Sequence, residues 1–115
     1  GKFIGNDPFD RWVKPSCMLV CEDNYSNAHG TPWLYKEMGI GKLIGAPVPG
    51  TMTAVWWENI GQYTFGIPQV GTKDNRGNYL ENQQLEPDIE CYVTPEDMLR
   101  GVDTQIQAAV KELMK

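Results

Sequence analysis

The clearest hydrophobic pattern near the start of the chain is an uninterrupted apolar run over Ser16–Cys21, bounded by a proline and by acidic residues. Such a run is typical of a strand covered on both faces, as in a parallel sheet. Thr31–Met38 has helical character, with Pro32 in the first turn and Gly39 as a glycine C-cap. Lys42–Gly45 predicts a second short buried strand. Strand, helix and strand in this order predict a right-handed, parallel βαβ unit.

The pattern becomes β-rich after a turn over Ala46–Gly50. Asp74–Asn78 is typical of a hairpin turn, because Gly77 is free to adopt a positive φ. Further on, Pro87–Val93 is expected to carry the chain outward. The strands predicted in this region are Thr53–Trp57, Tyr63–Ile67, Gln69–Gly71 and Tyr79–Glu81.

The C-terminal part of the chain is predicted to be helical. Thr94 is an N-cap, followed by proline at the first position and acidic residues in the first turn. The helix is expected to break near Gly101 and to resume from Asp103. Its second part carries an apolar stripe that must dock on another surface, formed by Ile106, Ala109, Val110 and Leu113. Residues 1–15 are predicted to form a loop that leads into the first strand.

Composition excludes several classes of function. The 115 residues fit one domain or a piece of a larger one. Lysine and arginine total 10 against 15 aspartates and glutamates, a net charge of −5 that argues against a nucleic-acid partner. No apolar run approaches the roughly 20 residues needed to cross a bilayer. Four tryptophans and five tyrosines in so short a chain suggest surfaces that missing elements or another subunit cover.

The cysteines do not point to a metal site or a disulfide. Cys17 and Cys21 lie too far apart along one strand to be bridged. One histidine and the lack of a Cys-x-x-Cys pair argue against zinc. We therefore expect buried, inert thiols at Cys17, Cys21 and Cys91, and no metal or cofactor.

The candidate catalytic residue is Ser26, in the polar turn that joins the first strand to the following helix. Chemistry in α/β folds lies at the carboxyl ends of such strands. The N–H groups at the start of a helix can also stabilise a developing negative charge beside the serine hydroxyl. The alternative is structural, since serine commonly begins a helix as an N-cap.

Three segments, in order, carry a resemblance to a known family. Tyr25–Ala28 with Gly39–Gly45 resembles the catalytic core of the tail-specific, or carboxyl-terminal-processing, serine peptidases, and is most similar to their tricorn-type branch. Leu80–Glu90 resembles that branch's Glu-Asn-x-x-Val-x-Pro-Asp-Ile segment, and Gly101–Ala109 its closing helix. The resemblance covers the chain from about residue 16 to its end.

The resemblance implies a role for particular residues. Ser26 falls at the nucleophile, and the backbone N–H of Asn27 would be one oxyanion donor. In the processing-peptidase branch a lysine 25 residues after the serine is the base, but Thr51 occupies that position here. The tricorn-type branch instead takes a histidine from an upstream segment and a downstream glutamate, and Glu81 falls at that glutamate. The resemblance therefore implies a Ser/His/Glu relay.

Two other features have competing interpretations. His29, the only histidine, lies three residues after Ser26 and could be taken for its base. Its position in the family is not the base, which favours site lining or packing at the helix start. Trp56 and Trp57 could line a cleft, but adjacent strand residues face opposite sides, so at most one would do so and core packing is favoured.

The resemblance implies an α/β fold of the crotonase-like/ClpP-like peptidase type, with βαβ units, a β-rich segment and a C-terminal helix. Residues 1–115 would be the C-terminal part of a catalytic domain that hydrolyses peptide or unfolded-protein substrates. The piece alone would be inactive until the upstream segment completes it, and the protein could be a homo-oligomer. A non-catalytic peptide-binding relative and a crotonase-type acyl-CoA enzyme remain alternatives.

Overall fold

The βαβ unit predicted near the start of the chain is parallel, as expected. In the computed structural model, which describes residues 13–115, β1 covers Cys17–Val20, α1 covers Asn27–Glu37 and β2 covers Lys42–Gly45. β1 pairs with β2 in parallel along its whole length. β5, Ile89–Glu90, pairs in parallel with the other edge of β2, which makes β2 the central strand. The carboxyl ends of β1 and β2 therefore lie at one edge of the sheet.

The core lies around β2. Leu43 and Ile44 are both fully buried, and consecutive strand residues face opposite sides, so both faces of β2 are covered. Leu43 belongs to a cluster that Trp33 of α1 contacts. β1 differs from its prediction, since Leu19 is 39% exposed. The reason is that β1 is an edge strand among residues 13–115 and only one of its sides is paired.

The remaining elements form a ribbon and two helices. β3 and β4 pair as an antiparallel ribbon that has far more contacts within itself than with the sheet. After it come the short helix α2 and the longer helix α3, which packs against β1 and β2. The bounds are Thr53–Ile60 for β3, Tyr63–Gly71 for β4, Pro95–Leu99 for α2 and Thr104–Leu113 for α3. The predicted loop over residues 1–15 lies largely outside the described residues.

α1 begins earlier than predicted, at Asn27 rather than near Thr31, so that Pro32 lies inside the helix. A proline at this position leaves the carbonyl of Ala28 without its backbone donor. The side chain of Asn24 donates a hydrogen bond to that carbonyl at 2.7 Å. This substitute donor explains why the helix continues through the proline.

The predicted strand over Tyr79–Glu81 does not form. Tyr79 makes only an isolated bridge with Lys73, and the chain then turns at Asn82, whose φ is 60°. The N–H of Asn82 donates to the carbonyl of Gly50 at 2.7 Å. The N–H of Leu80 still bonds to the carbonyl of Thr72, but the turn at Asn82 takes the chain away before further pairing can form.

Much apolar surface remains exposed. Trp56 and Trp57 are 58% and 68% exposed, so the prediction that they pack in a core is wrong for residues 13–115. Along the α3 stripe, Ile106, Val110 and Leu113 also remain between 44% and 55% exposed although the helix contacts the sheet. A three-stranded sheet is too narrow to cover these faces.

Gly45 is expected to be essential for the strand pairing beside the site. Its φ is +140°, and a Cβ there would lie 1.8 Å from the carbonyl oxygen of Val20. In the intact protein we expect Gly45→Ala to lower the free energy of unfolding by about 3 kcal/mol or more, from backbone strain and overpacking together. Urea denaturation measures the change. Gly39→Ala is the control, because its φ is also positive but no atom lies within 4 Å of a Cβ there. An equal loss in both variants would contradict the steric explanation.

Candidate active site

Ser26 occupies the turn between β1 and α1 in a backbone conformation that serine rarely adopts. Its φ is 54° and its ψ is −113°. Among residues 13–115, the non-glycine residues with positive φ are Ser26 and Asn82. Although Ser26 occupies the N-cap position of α1, its side chain makes no capping hydrogen bond. The structural alternative, a serine that caps the helix, therefore does not account for Ser26.

The first turn of α1 leaves one N–H group available beside Ser26. The N–H of Ala28 bonds to the carbonyl of Tyr25, and the N–H groups of His29 and Gly30 both bond to the carbonyl of Ser26. The hydrogen bonds of the described backbone include none from the N–H of Asn27. A helix start offers such unsatisfied donors with a partial positive charge. Among the described residues, the N–H of Asn27 therefore has no backbone acceptor.

Glu81 is fixed by two donors at the start of β3. Its Oε2 accepts a hydrogen bond from the N–H of Met52 at 2.7 Å and another from the Thr53 hydroxyl at 2.8 Å. These two bonds lower the pKa of Glu81, the Met52 bond most strongly. Glu81 is therefore a carboxylate at neutral pH.

Ser26 and Glu81 are connected through Thr53 rather than by a direct bond, and Glu81 does not itself line the groove beside Ser26. The hydroxyl of Thr53 bonds to Glu81, and Thr53 and Ser26 line the same groove of about 490 Å³. Within residues 13–115, no hydrogen bond joins Ser26 to Glu81. The groove is open and runs between the start of α1 and the ribbon, with Tyr25, Ser26, Thr53, Val55, Trp57, Gly66 and Pro68 in its lining. Of the two tryptophans, only Trp57 lines it.

His29 lies one turn into α1 and is buried, with 1% of its surface exposed. Burial lowers its pKa, against the opposing effects of the nearby Thr51 backbone and of the Glu81 charge, and among the described residues its buried Nδ1 has no hydrogen-bond partner. The imidazole is therefore neutral at neutral pH. It lines a separate cavity of about 330 Å³, which Trp33 and Leu80 also line. This placement agrees with the interpretation of His29 as a lining and packing residue.

The donors that fix Glu81 could not be predicted from the sequence. Met52 and Thr53 lie 29 and 28 residues before Glu81, and no motif in the sequence marks either of them. Nor does any motif mark Asn24, whose side chain bonds both to Cys21, directly after β1, and to α1. A possible signal was Pro32, since a proline within a helix requires another donor for its orphaned carbonyl.

The described residues contain neither a cluster of metal-ligating side chains nor a helix fit to cross a membrane. Residues 13–115 contain no group of three or more His, Cys, Asp or Glu side chains placed to hold a metal ion. Within the same residues, no helix has the length and apolar character that a membrane crossing requires. Cys17, Cys21 and Cys91 are partly exposed free thiols, whereas we had expected them to be buried.

Comparison with known proteins gives a family match over most of the chain. The model of peptidase family S41 matches residues 3–91. A protein of Sulfurisphaera tokodaii, named as a tricorn-like protease C-terminal subunit, is 24% identical over 119 residues, which cover 94% of this chain and 13% of the relative.

Solved structures share the fold. Mature CPAF complexed with lactacystin superimposes with a TM-score of 0.79 at 23% identity, over 96% of this chain and 22% of that one. The tricorn protease gives a TM-score of 0.70 at 25% identity, over 100% of this chain and 13% of that one. The chain spans only 18% and 13% of the length of the curated relatives it matches.

Proposed function

The chain belongs to peptidase family S41, and on that premise we propose that it is the C-terminal part of the catalytic domain of a tricorn-type serine peptidase. Ser26 is the proposed nucleophile. The observation that carries the proposal is the state of Ser26: a non-glycine residue with a φ of 54°, a hydroxyl that does not cap its helix, and a place at the carboxyl end of β1. Rare backbone conformations of this kind cluster at functional sites.

The proposed reaction is acyl transfer to water. The Oγ of Ser26 attacks a peptide carbonyl while a histidine takes its proton, and the carbonyl oxygen becomes an oxyanion. The N–H of Asn27 donates to that oxyanion. As the C–N bond breaks, the histidine returns the proton to the departing amine. Water, deprotonated by the same histidine, then attacks the acyl carbonyl, and the histidine returns that proton to the Oγ of Ser26 as the ester bond breaks.

The histidine and the second oxyanion donor are proposed to come from the upstream part of the protein. The small share of its relatives that this chain spans agrees with a missing catalytic segment. Glu81 would orient that histidine and stabilise its charged form. The Oε2 of Glu81 is held by Met52 and Thr53, which would leave its Oε1 to face the histidine side of the site. No metal ion or cofactor takes part in this mechanism.

The substrate is proposed to be a peptide or an unfolded protein segment. The groove of about 490 Å³ beside Ser26 is open rather than enclosed, which suits an extended chain. Trp57 offers an exposed aromatic face in that groove for an apolar side chain of the substrate.

We also propose that the α/β fold belongs to the crotonase-like/ClpP-like class. The exposed ribbon of β3 and β4 would contact the rest of the protein or a second subunit.

Inhibition of the intact protein tests the proposed class of function. Hydrolysis of casein by the full-length protein is expected to stop after treatment with a fluorophosphonate, because this reagent phosphonylates activated serine hydroxyls with loss of fluoride. Full activity after treatment would contradict the serine mechanism. Absence of hydrolysis together with binding of unfolded peptides would favour the non-catalytic relative instead.

A variant of His29 separates the two interpretations of that residue. In the intact protein, His29→Gln is expected to react with a fluorophosphonate within about threefold of the wild-type rate, because His29 lines a cavity separate from the groove of Ser26. Glutamine is close to histidine in size but cannot serve as a base. The rate of labelling measures this directly. If labelling of folded His29→Gln falls to the background level of Ser26→Ala, His29 is the base and the upstream histidine is not.

A further inference from the structure

Pro32 leaves one carbonyl of α1 without a backbone hydrogen-bond donor. In a regular helix the N–H of residue 32 would donate to the carbonyl of Ala28, but proline has no N–H. The side chain of Asn24 supplies the missing donor, with 2.7 Å between its Nδ2 and the carbonyl oxygen of Ala28. Pro32 is buried. Asn24 and Pro32 together thus replace a backbone hydrogen bond of the helix by a hydrogen bond from a side chain in the turn that precedes it.

The same side chain also binds the end of β1. The Oδ1 of Asn24 accepts a hydrogen bond from the backbone N–H of Cys21 at 3.0 Å and a second from the Cys21 thiol at 3.2 Å. The backbone N–H of Asn24 donates to the carbonyl of Cys21 at 3.1 Å. One amide group therefore connects the strand to the first turn of the helix, and Ser26 lies within the span that it closes.

We propose that Asn24, acting together with Pro32, is a positioning residue that holds Ser26 in its positive-φ conformation. The inference rests on the proposed function, because Ser26 must be the nucleophile for its position to affect catalysis. An amide is required, since the contacts use both a donor and an acceptor of one short side chain. Pro32 contributes by removing the backbone N–H that would otherwise compete for the carbonyl of Ala28.

The test is a double-mutant cycle in the full-length protein, in which the measured quantity is the rate at which a fluorophosphonate labels Ser26. Asn24→Asp keeps the acceptor for Cys21 but loses the donor to Ala28, so we expect the labelling rate to fall about tenfold or more. In a Pro32→Ala background the new backbone N–H binds the carbonyl of Ala28, and Asn24→Asp is expected to cost less than about threefold. The KM for a peptide substrate should stay within about twofold, because the groove is unchanged.

Asn59→Asp is the matched control, since it introduces the same charge at an exposed ribbon position whose Oδ1 accepts from Thr64. Asn24→Ala, which adds no charge, is the second variant; it should show at least the same fall but only partial relief by Pro32→Ala, because it also loses the acceptor for Cys21. All rates are compared at a temperature where circular dichroism shows each variant to be folded. Wild-type rates in both Asn24 variants, or equal losses in both backgrounds, would overturn the inference. An unlabelled wild-type protein would instead mean that the proposed function has failed.

Discussion

Ser26→Ala in the intact protein is expected to lower kcat for peptide hydrolysis at least ~1,000-fold, because the Oγ of Ser26 forms the bond to the substrate carbonyl. The KM is expected to change little, since removing one hydroxyl leaves the walls of the groove in place. Steady-state hydrolysis of a fluorogenic peptide gives both constants. Alanine is also expected to leave the fold intact, because the side chain of Ser26 makes no capping bond that could be lost.

Ser16→Ala is the matched control for that measurement. Ser16 precedes β1 at the end remote from the site, where its hydroxyl is hydrogen-bonded to the Tyr35 hydroxyl at 2.6 Å. Its replacement is expected to reduce stability slightly and to leave kcat within about twofold of wild type. Hydrolysis by folded Ser26→Ala at the wild-type rate would exclude Ser26 as the nucleophile and would direct attention to the non-catalytic interpretation.

Glu81→Gln is expected to lower kcat on the order of 100- to 10,000-fold, the range found when the carboxylate of a serine relay is replaced by its amide. Glutamine preserves the size of the side chain and can still accept from Met52 and Thr53. It removes the negative charge that the histidine of the relay needs. Labelling by a fluorophosphonate should slow together with hydrolysis, because the relay activates Ser26 in the first step.

The stability of the same variant should depend on pH in a defined direction. The bonds from Met52 and Thr53 lower the folded-state pKa of Glu81. A lowered carboxylate pKa contributes stability above the unfolded-state pKa, and this contribution is lost as the pH falls through the folded-state value. Glu81→Gln should therefore melt below wild type at neutral pH, and the gap should narrow as the solution becomes acidic.

Glu37→Gln, at the exposed end of α1, is the charge-matched control and should change neither kcat nor the pH dependence. If Glu81→Gln keeps wild-type kcat while remaining folded, the carboxylate has no part in catalysis. In that case the pairing of Ser26 with Glu81, which the resemblance implied, would have to be abandoned.

Elements whose limits are encoded locally were predicted well. β2 has the predicted bounds, Lys42–Gly45, because a short apolar run between glycines leaves little choice. The break between the C-terminal helices falls at Gly101, whose φ of 68° is costly for other residues. Thr94 and Asp103 cap the two helices through bonds to the N–H groups of Asp97 and Ile106. Each of these signals lies within a few residues of the feature it determines.

Features that depend on distant contacts were predicted poorly. The turn at Asn82 requires the carbonyl of Gly50. The exposure of Trp56 and Trp57 depends on what the ribbon packs against, which a pattern of apolar residues does not specify. In all of these cases the deciding partner lies outside the local pattern.

The candidate site shows the same division. Ser26 at a strand-to-helix turn followed from the local pattern, whereas Glu81 entered only through the family resemblance. The bonds that fix Glu81 come from Met52 and Thr53, which no local signal marks. The catalytic roles of Ser26, Asn27 and Glu81 remain predictions that the variants above are designed to test.

The most direct test is to locate the covalent adduct on the intact protein. After reaction with a fluorophosphonate, mass spectrometry of the whole protein should show the mass of one adduct, and peptide fragmentation should place it on the Oγ of Ser26. Ser26→Ala should carry no adduct under the same conditions. An adduct on another residue, or an unmodified wild-type protein that still hydrolyses casein, would contradict the assignment of Ser26 as the nucleophile.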